Sequence, residues 1–322
     1  MTTSHGPAAP FALARYREGA EVRLGLVAGD RIRPLDADAL GAPTLNDFLA
    51  APDWDRLAAL AAEADDSWLP LAEVVLTAPV EPRQVLQAGA NYREHVIELV
   101  AAGLTNNTDR TPEEARAFAA NLMDERKKNG EPYFFIGLPA AVVGDDVPLV
   151  LPSYSDVHDW ELELAIVIGR EAFRVSREDA MDHVAGYTIV NDITTRDLVF
   201  RKDMKEIGTD WYRSKNAPGF LPTGPFLVPA AHVDGGHLAV ALDLNGDRMQ
   251  NGNTDDLLFD IPALISAASQ NMPLLPGDLL LTGSPPGNGQ HWKRFLRDGD
   301  VMTGSIEGLG TQIVRCVAED AS

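Results

Sequence analysis

The run Trp160-Glu161-Leu162-Glu163-Leu164-Ala165-Ile166-Val167-Ile168 constrains this chain more than any other stretch. Side chains alternate along a strand, so Leu164 to Ile168 is apolar on both faces and reads as a buried strand. The same alternation puts Glu161 and Glu163 on one face, ~7 Å apart by strand rise. Two carboxylates on one partly buried face repel each other and resist desolvation. A divalent cation relieves both costs; an exposed end of an amphipathic strand is the other reading of this pattern. Asp192 closes a second strongly apolar strand, Tyr187-Thr188-Ile189-Val190-Asn191-Asp192-Ile193. An acid at a buried strand end is unusual unless it binds something. It also suits a turn or cap before Thr194-Thr195. Three hard oxygen ligands with no Cys/His cluster point to Mg²⁺ or Mn²⁺ rather than Zn²⁺.

The surrounding pattern is strand-rich. Strands are expected at Val85–Ala88, Ala141–Val143, Glu161–Ile168, Gly186–Asp192, Gly224–Val228 and Leu238–Leu244, with Asn245-Gly246 as a hairpin turn. Pro276-Gly277-Asp278 and Asp298-Gly299-Asp300 are turns that each lead into a strand. A helix is expected from Thr111-Pro112-Glu113-Glu114 to about Lys128, stopping at Gly130, because Thr caps it, Pro occupies its first turn and Glu closes a capping box. A polar stretch, Thr105 to Arg110, precedes it. Glu178–Val184 and Asp260–Gln270 also read as helices. Ahead of these, Ala20–Ala28 alternates like a strand, Thr44–Ala61 has helical spacing with Thr44 or Asn46 as N-cap, and Pro79–Pro82 reads as a linker. The division is a small N-terminal domain, 1–78, and a main domain, 79–322. Strands are not regularly separated by long helices, so the class is β-rich α+β, not a doubly wound sheet.

Composition narrows the partners. The 322 residues hold 48 acidic and 27 basic side chains, a formal charge of −21. Such a charge opposes nucleic acid and anionic membrane surfaces and favours a soluble particle. The single cysteine, Cys316, permits no internal disulfide, which fits a reducing cytosol. The start, Met1 to Gly19, lacks a signal-peptide pattern, and no apolar run approaches the ~18 residues that span a bilayer. The expected location is the cytoplasm.

Other residues carry chemistry only in combination. His95 and Glu98 stand three apart, side by side on a helical turn, so Glu98 could orient the imidazole; a surface pair has the same spacing. Lys215 lies in the aromatic and basic cluster Trp211-Tyr212-Arg213-Ser214-Lys215-Asn216, either functional or snorkelling at the surface. Thr282-Gly283-Ser284-Pro285 offers hydroxyls and backbone N–H groups to an anion, or is a plain turn. His158, His183, His232, His237 and His291 show no recognisable spacing and read as structural.

Taken in order, these pieces resemble the fumarylacetoacetate hydrolase family, especially its bacterial acylpyruvate-hydrolase-like branch. The carrying motifs are Gly89-Ala90-Asn91-Tyr92-Arg93-Glu94-His95 with Glu98, Asp159-Trp160-Glu161-Leu162-Glu163, Val184 through Asp192, Arg196-Asp197, Asn245-Gly246, Pro276-Gly277-Asp278 and Thr282-Gly283-Ser284-Pro285. The resemblance covers about residues 80 to 318. It implies a mixed β-sandwich roll behind a smaller N-terminal domain, commonly a homodimer. It implies metal ligands at Glu161, Glu163 and Asp192, a catalytic dyad of His95 and Glu98, and an active-site lysine at Lys215. Tyr92, Arg196, Thr282 and Ser284 are then expected around the substrate. The implied reaction is Mg²⁺- or Mn²⁺-dependent hydrolysis of the carbon–carbon bond of a small anionic 2,4-dioxo acid, in catabolism of aromatic or sugar-derived compounds. Decarboxylation, isomerisation or hydration of oxo-enoic acids, and metabolite binding without turnover, are the rival readings.

Two departures touch the substrate. Val199 stands seven residues after Asp192, where some family members carry a water- or substrate-holding glutamine. The segment from about Thr105 to Gly130 looks longer than in small members and could form part of a lid. From Ile193 to Lys215 six bases face four acids, so a locally positive site is expected on an acidic protein.

Overall fold

The computed structural model describes residues 6–107, 109–144 and 146–320. The strand Leu162–Ile168 lies inside a six-stranded sheet and is buried at every position. Its alternation serves two cores. Leu162, Leu164, Ile166 and Ile168 face one apolar cluster, while Ala165 and Val167 face the other. The sheet runs Val228–Pro229, Val184–Asn191, Leu162–Ile168, Leu279–Leu281, Val85–Gly89, Tyr133–Gly137. All neighbours are antiparallel except Leu279–Leu281 with Val85–Gly89.

The larger cluster also packs against a second, five-stranded sheet. Its order is Asp247–Asn253, Ala239–Leu244, Val301–Ile306, Gly310–Ala318, Leu149–Leu151. Asn245-Gly246 makes the expected hairpin, with both residues in the left-handed region (φ 55° and 92°). That conformation is what a two-residue turn of matching twist requires. The other cluster is covered by a five-stranded antiparallel sheet of residues 12–77, with Phe11, Leu13, Phe48 and Leu57 packed onto Ala165, Val167 and Leu279. Pro79–Pro82 is packed rather than free, since Val80 is wholly buried in that cluster. The result is mixed sheets with helices, the α+β class expected.

Two expected helices and one expected strand depart from the sequence reading. Thr44–Ala61 is two helices, Leu45–Ala50 and Trp54–Ala61, because Pro52 interrupts the pattern and Asp53 caps a new start. Thr44 is the cap of the first. Glu178–Val184 contains only a 3₁₀ turn, Ala180–His183, before its last residue enters a strand. Of Gly224–Val228 only Val228 joins a strand, Val228–Pro229. The helix Pro112–Asn129 forms with the Thr111–Glu114 capping box and ends at Gly130. It packs against Arg93–Asn107, which takes in the start of the polar stretch Thr105–Arg110; residue 108 lies outside the described residues. Ion pairs Arg93–Asp124 (2.9 Å) and Arg116–Glu94 (2.6 Å) tie the two helices. Among the described residues no helix is long and apolar enough to cross a membrane.

Candidate metal centre and active-site cleft

Four strands of the central sheet end at one place. The parallel strands Val85–Gly89 and Leu279–Leu281 finish there, Val184–Asn191 finishes beside them, and Leu162–Ile168 begins there. The register opposes Leu162 to Asn191, and the Asp192 N–H donates to the Glu161 carbonyl at 2.8 Å. Asp192 therefore stands beside Glu161 by sheet pairing. Glu161, Glu163 and Asp192 each offer an oxygen, and these atoms lie within 4.8 Å of one another.

Neighbours fix each carboxylate. The Gly283 N–H donates to Glu163 at 2.7 Å, and Gln87 Nε2 donates to Asp192 at 2.9 Å. Gly283 holds a left-handed φ of 96°, where a Cβ would come within 3.1 Å of Asn91 Cβ. Lys215 Nζ is 2.6 Å from Glu161 and also contacts Asp192, with the lysine side chain 2% exposed. Arg196 joins Glu161 (2.7 Å) to Asp159 (2.6 Å).

Charge in this nest is unbalanced. Four carboxylates, Asp159, Glu161, Glu163 and Asp192, meet two cations, Arg196 and Lys215, which leaves two negative charges. Burial pushes the Glu161 carboxyl up, but Arg196 and Lys215 outweigh it and hold it well below the usual range. Burial, with Asp192 and Glu161 nearby, pushes Glu163 well above that range. Burial likewise lifts Asp192, to about 6, against the pull of Lys215. Buried carboxylates whose proton affinity rises are short of positive charge, and an all-oxygen set supplies hard ligands. The residues therefore fit a divalent cation such as Mg²⁺ or Mn²⁺.

The nest is the floor of a cleft of about 310 Å³. His95, Arg196, Lys215 and Ser284 line it with the three acids. Burial lowers the His95 pKa to about 4, although Glu161 pulls the other way. Ser284 Oγ accepts from Gln250 Nε2 at 2.7 Å. Three expected residues are elsewhere. Tyr92 is wholly buried, held in a bridge to Leu257, with its hydroxyl unpartnered. The Thr282 hydroxyl donates to the Leu164 carbonyl at 2.9 Å and is fully buried. Glu98 shares the helix face of His95, but its carboxylate meets His291 Nδ1 at 3.4 Å at the rim. His291 was expected to be merely structural. His158 does fit that reading: its ring bonds Thr195 and the Pro152 carbonyl, both at 2.9 Å.

The expected surplus of positive charge between Ile193 and Lys215 is largely neutralised. Arg196, Arg201 and Lys215 are all engaged by acids, and Lys202 lies 4.0 Å from Asp197. Some residues of the site gave little warning. Gln87 is a buried polar side chain in an otherwise apolar strand, which was a usable signal. Asp159 receives N–H groups of Trp160 (2.8 Å), Gln290 (3.1 Å) and Gly289, and so anchors Arg196. The aromatic wall of Phe135 and Trp211 depends on tertiary packing.

The family described as fumarylacetoacetate (FAA) hydrolase C-terminal matches residues 84–317. The mitochondrial oxaloacetate tautomerase fahd2 of Xenopus laevis is 32% identical over 318 residues, 95% of this chain and 90% of that protein. A 2,4-didehydro-3-deoxy-L-rhamnonate hydrolase of Sphingomonas sp. is 36% identical over 267 residues, 79% of this chain and 81% of that one. The maleylpyruvate hydrolase structure from Sphingobium sp. SYK-6 superposes with a TM-score of 0.70 at 30% identity, over 96% of this chain and 100% of that one. The fumarylacetoacetate hydrolase from Exiguobacterium antarcticum gives 0.73 at 27% identity, over 96% and 100%. Hydrolases and isomerases both occur among these relatives, and the chain belongs to the fumarylacetoacetate hydrolase family of enzymes.

Proposed function

We propose that the protein is a divalent-metal-dependent hydrolase of 2,4-dioxo acids, releasing a 2-oxo acid and a carboxylate. The observation that carries the reading is one cleft holding both the acid trio and a half-buried His95 whose proton affinity is lowered. Glu161, Glu163 and Asp192 would hold a divalent cation, which would supply Lewis acidity to a 2-oxo acid carbonyl. His95, unprotonated at neutral pH, takes a proton from water. The water oxygen bonds to C4, the C3–C4 bond breaks with its electrons on C3, and the proton on His95 passes to C3. Glu98 lies one turn along the same helix face, so service to His95 requires exchange of its His291 partner. Lys215 and Arg196 hold the carboxylates in place and offset the negative charge of an anionic substrate. Aromatic and sugar-derived catabolism both yield substrates of this class.

A second reading shares the first steps. The Xenopus relative is named an oxaloacetate tautomerase, and tautomerisation needs only a proton carried between C3 and the C2 oxygen, which His95 can perform without attack by water. One assay separates them. Chelator-stripped protein is reloaded with Mg²⁺ or Mn²⁺ and given a panel of acylpyruvates. The hydrolase reading expects metal-dependent loss of the diketo-acid ultraviolet band with matching release of pyruvate. Band loss without pyruvate favours tautomerisation; CO₂ release favours decarboxylation; no metal-dependent change sinks all three.

A further inference from the structure

The strand Asp247–Asn253 has one wholly buried side chain, and it is the polar Gln250. A register shift against Ala239–Leu244 leaves Met249 as an extra residue, and such a bulge re-aims the side chain beside it. Gln250 reaches out of its own sheet to the central one. Its Oε1 accepts the Leu162 N–H at 3.1 Å, and Leu162 stands between Glu161 and Glu163. Its Nε2 donates to the Pro285 carbonyl at 2.8 Å and to Ser284 Oγ at 2.7 Å. The loop lies this close because Gly252 has no Cβ; one there would come within 2.5 Å of Pro285 Cβ.

Backbone partners leave that amide one orientation. The Leu162 N–H can only donate, so it faces the amide oxygen; the Pro285 carbonyl can only accept, so it faces the NH₂ group. Ser284 Oγ, beside the same NH₂, is therefore an acceptor toward Gln250, and its own proton points elsewhere. Among the described residues the acceptor left to that proton is the Pro285 carbonyl at 3.4 Å, which Gln250 already engages. An O–H···O bond is normally about 2.5–3.0 Å. Ser284 lines the cleft next to Gly283, whose N–H holds Glu163. Its proton is thus available to an anion beside the acid trio, where a charge-assisted bond outcompetes a long one to a carbonyl. Resting on the proposed 2-oxo acid reading, we infer that Gln250 is a positioning residue that makes the Ser284 hydroxyl a donor to the substrate carboxylate. Gln250 does not itself line the cleft and acts through Ser284.

Binding of a non-cleavable acid tests this apart from turnover. Calorimetry at saturating Mg²⁺ follows 2-oxopentanoate, which lacks a C4 carbonyl, in the parent, Ser284→Ala, Gln250→Met and the double variant. Ser284→Ala should weaken binding about tenfold, as loss of a hydrogen bond to a charged group does. Gln250→Met should weaken it by a similar factor, because the Pro285 carbonyl it vacates then takes the Ser284 proton. With Ser284 already alanine, adding Gln250→Met should weaken binding by less than about twofold. A merely structural Gln250 would weaken binding equally in both backgrounds, and that result overturns the inference. So does binding to Ser284→Ala within about twofold of the parent, or no Mg²⁺-dependent binding to the parent. If Gln250→Met does not fold, Gln250→Glu takes its place. That variant keeps the Leu162 bond while its second oxygen accepts the Ser284 proton, so its loss must again be larger with the serine than with alanine. If the coupling holds while no 2,4-dioxo acid is cleaved, the positioning role stands and the hydrolase reading fails.

Discussion

Lys215→Met is the sharpest probe of the charge nest. Lys215 is 2% exposed, contacts Asp192 and lies 2.6 Å from Glu161. At that distance one ion pair is worth about 6 kcal/mol with an effective dielectric near 20. Dehydrating the ammonium cancels several kcal/mol of it. Removing one partner of a buried pair leaves an uncompensated charge and destabilises by about 3–5 kcal/mol. Metal-free Lys215→Met should therefore melt roughly 4–7 °C below the parent protein. A second outcome follows from the same charges. The variant nest has three uncompensated negative charges instead of two, so a divalent cation should stabilise it more than it stabilises the parent. Differential scanning calorimetry of both proteins, in chelator and across a Mg²⁺ series, reads both effects. Equal metal-free melting temperatures, or an equal gain on Mg²⁺ addition, would refute the picture of Lys215 as counter-charge to the trio.

Three further outcomes are expected. Gln87→Leu removes the donor that fixes Asp192 at 2.9 Å, and Mg²⁺ affinity by calorimetry should fall about 10–100-fold; a fall under threefold refutes that role. The His95 pKa is depressed from 6.5 to about 4, so the unfolded chain binds the proton more readily in that window. Stability contributed by a neutral His95 is thus complete above pH 6.5 and is lost, by up to about 3 kcal/mol, as pH falls toward 4. In the metal-free protein its imidazole resonance, assigned with His95→Gln, should not titrate above pH 5; a midpoint near 6.5 would contradict the desolvation of its half-buried ring. If Glu98 serves His95 after leaving His291, Glu98→Gln should lower kcat at least about tenfold while His291→Ala stays within about threefold. Equal losses in the two variants would show that the rim pair itself matters.

The path from residues to site was open where chemistry and periodicity coincide. Leu162–Ile168 announces its burial on both faces by composition, and the two glutamates announce their shared face by spacing. The capping box at Thr111 defines a helix start in the same local way. Asp192 was recognisable as an oddity, yet its place beside Glu161 comes from strand register, which no local pattern specifies. Thr44–Ala61 has continuous helical spacing yet forms two helices, because Pro52 breaks the run and Asp53 caps a new start. Glu98 kept its predicted helix face but took another partner, since His291 arrives from a turn nearly two hundred residues away. Thr282 kept its place in the loop, but its hydroxyl bonds the carbonyl of a neighbouring strand instead of facing the cleft. The strand Tyr133–Gly137 was unread, and with it the aromatic wall, because its side chains gain meaning only against Trp211.

The backbone bond from Asp192 to Glu161 has a consequence for how the site would take up a cation. Two of the three acids sit on adjoining strands whose pairing continues through seven residues of apolar sheet. Their spacing is therefore set by the same hydrogen bonds that hold the central sheet, not by a cation. A zinc finger loses its fold with its metal; this chain should lose only its reactivity. Little chain entropy is surrendered when the ion arrives, so loading can be rapid and reversible. Its activity could then follow the supply of free divalent cation, with the folded scaffold waiting unchanged between one loading and the next.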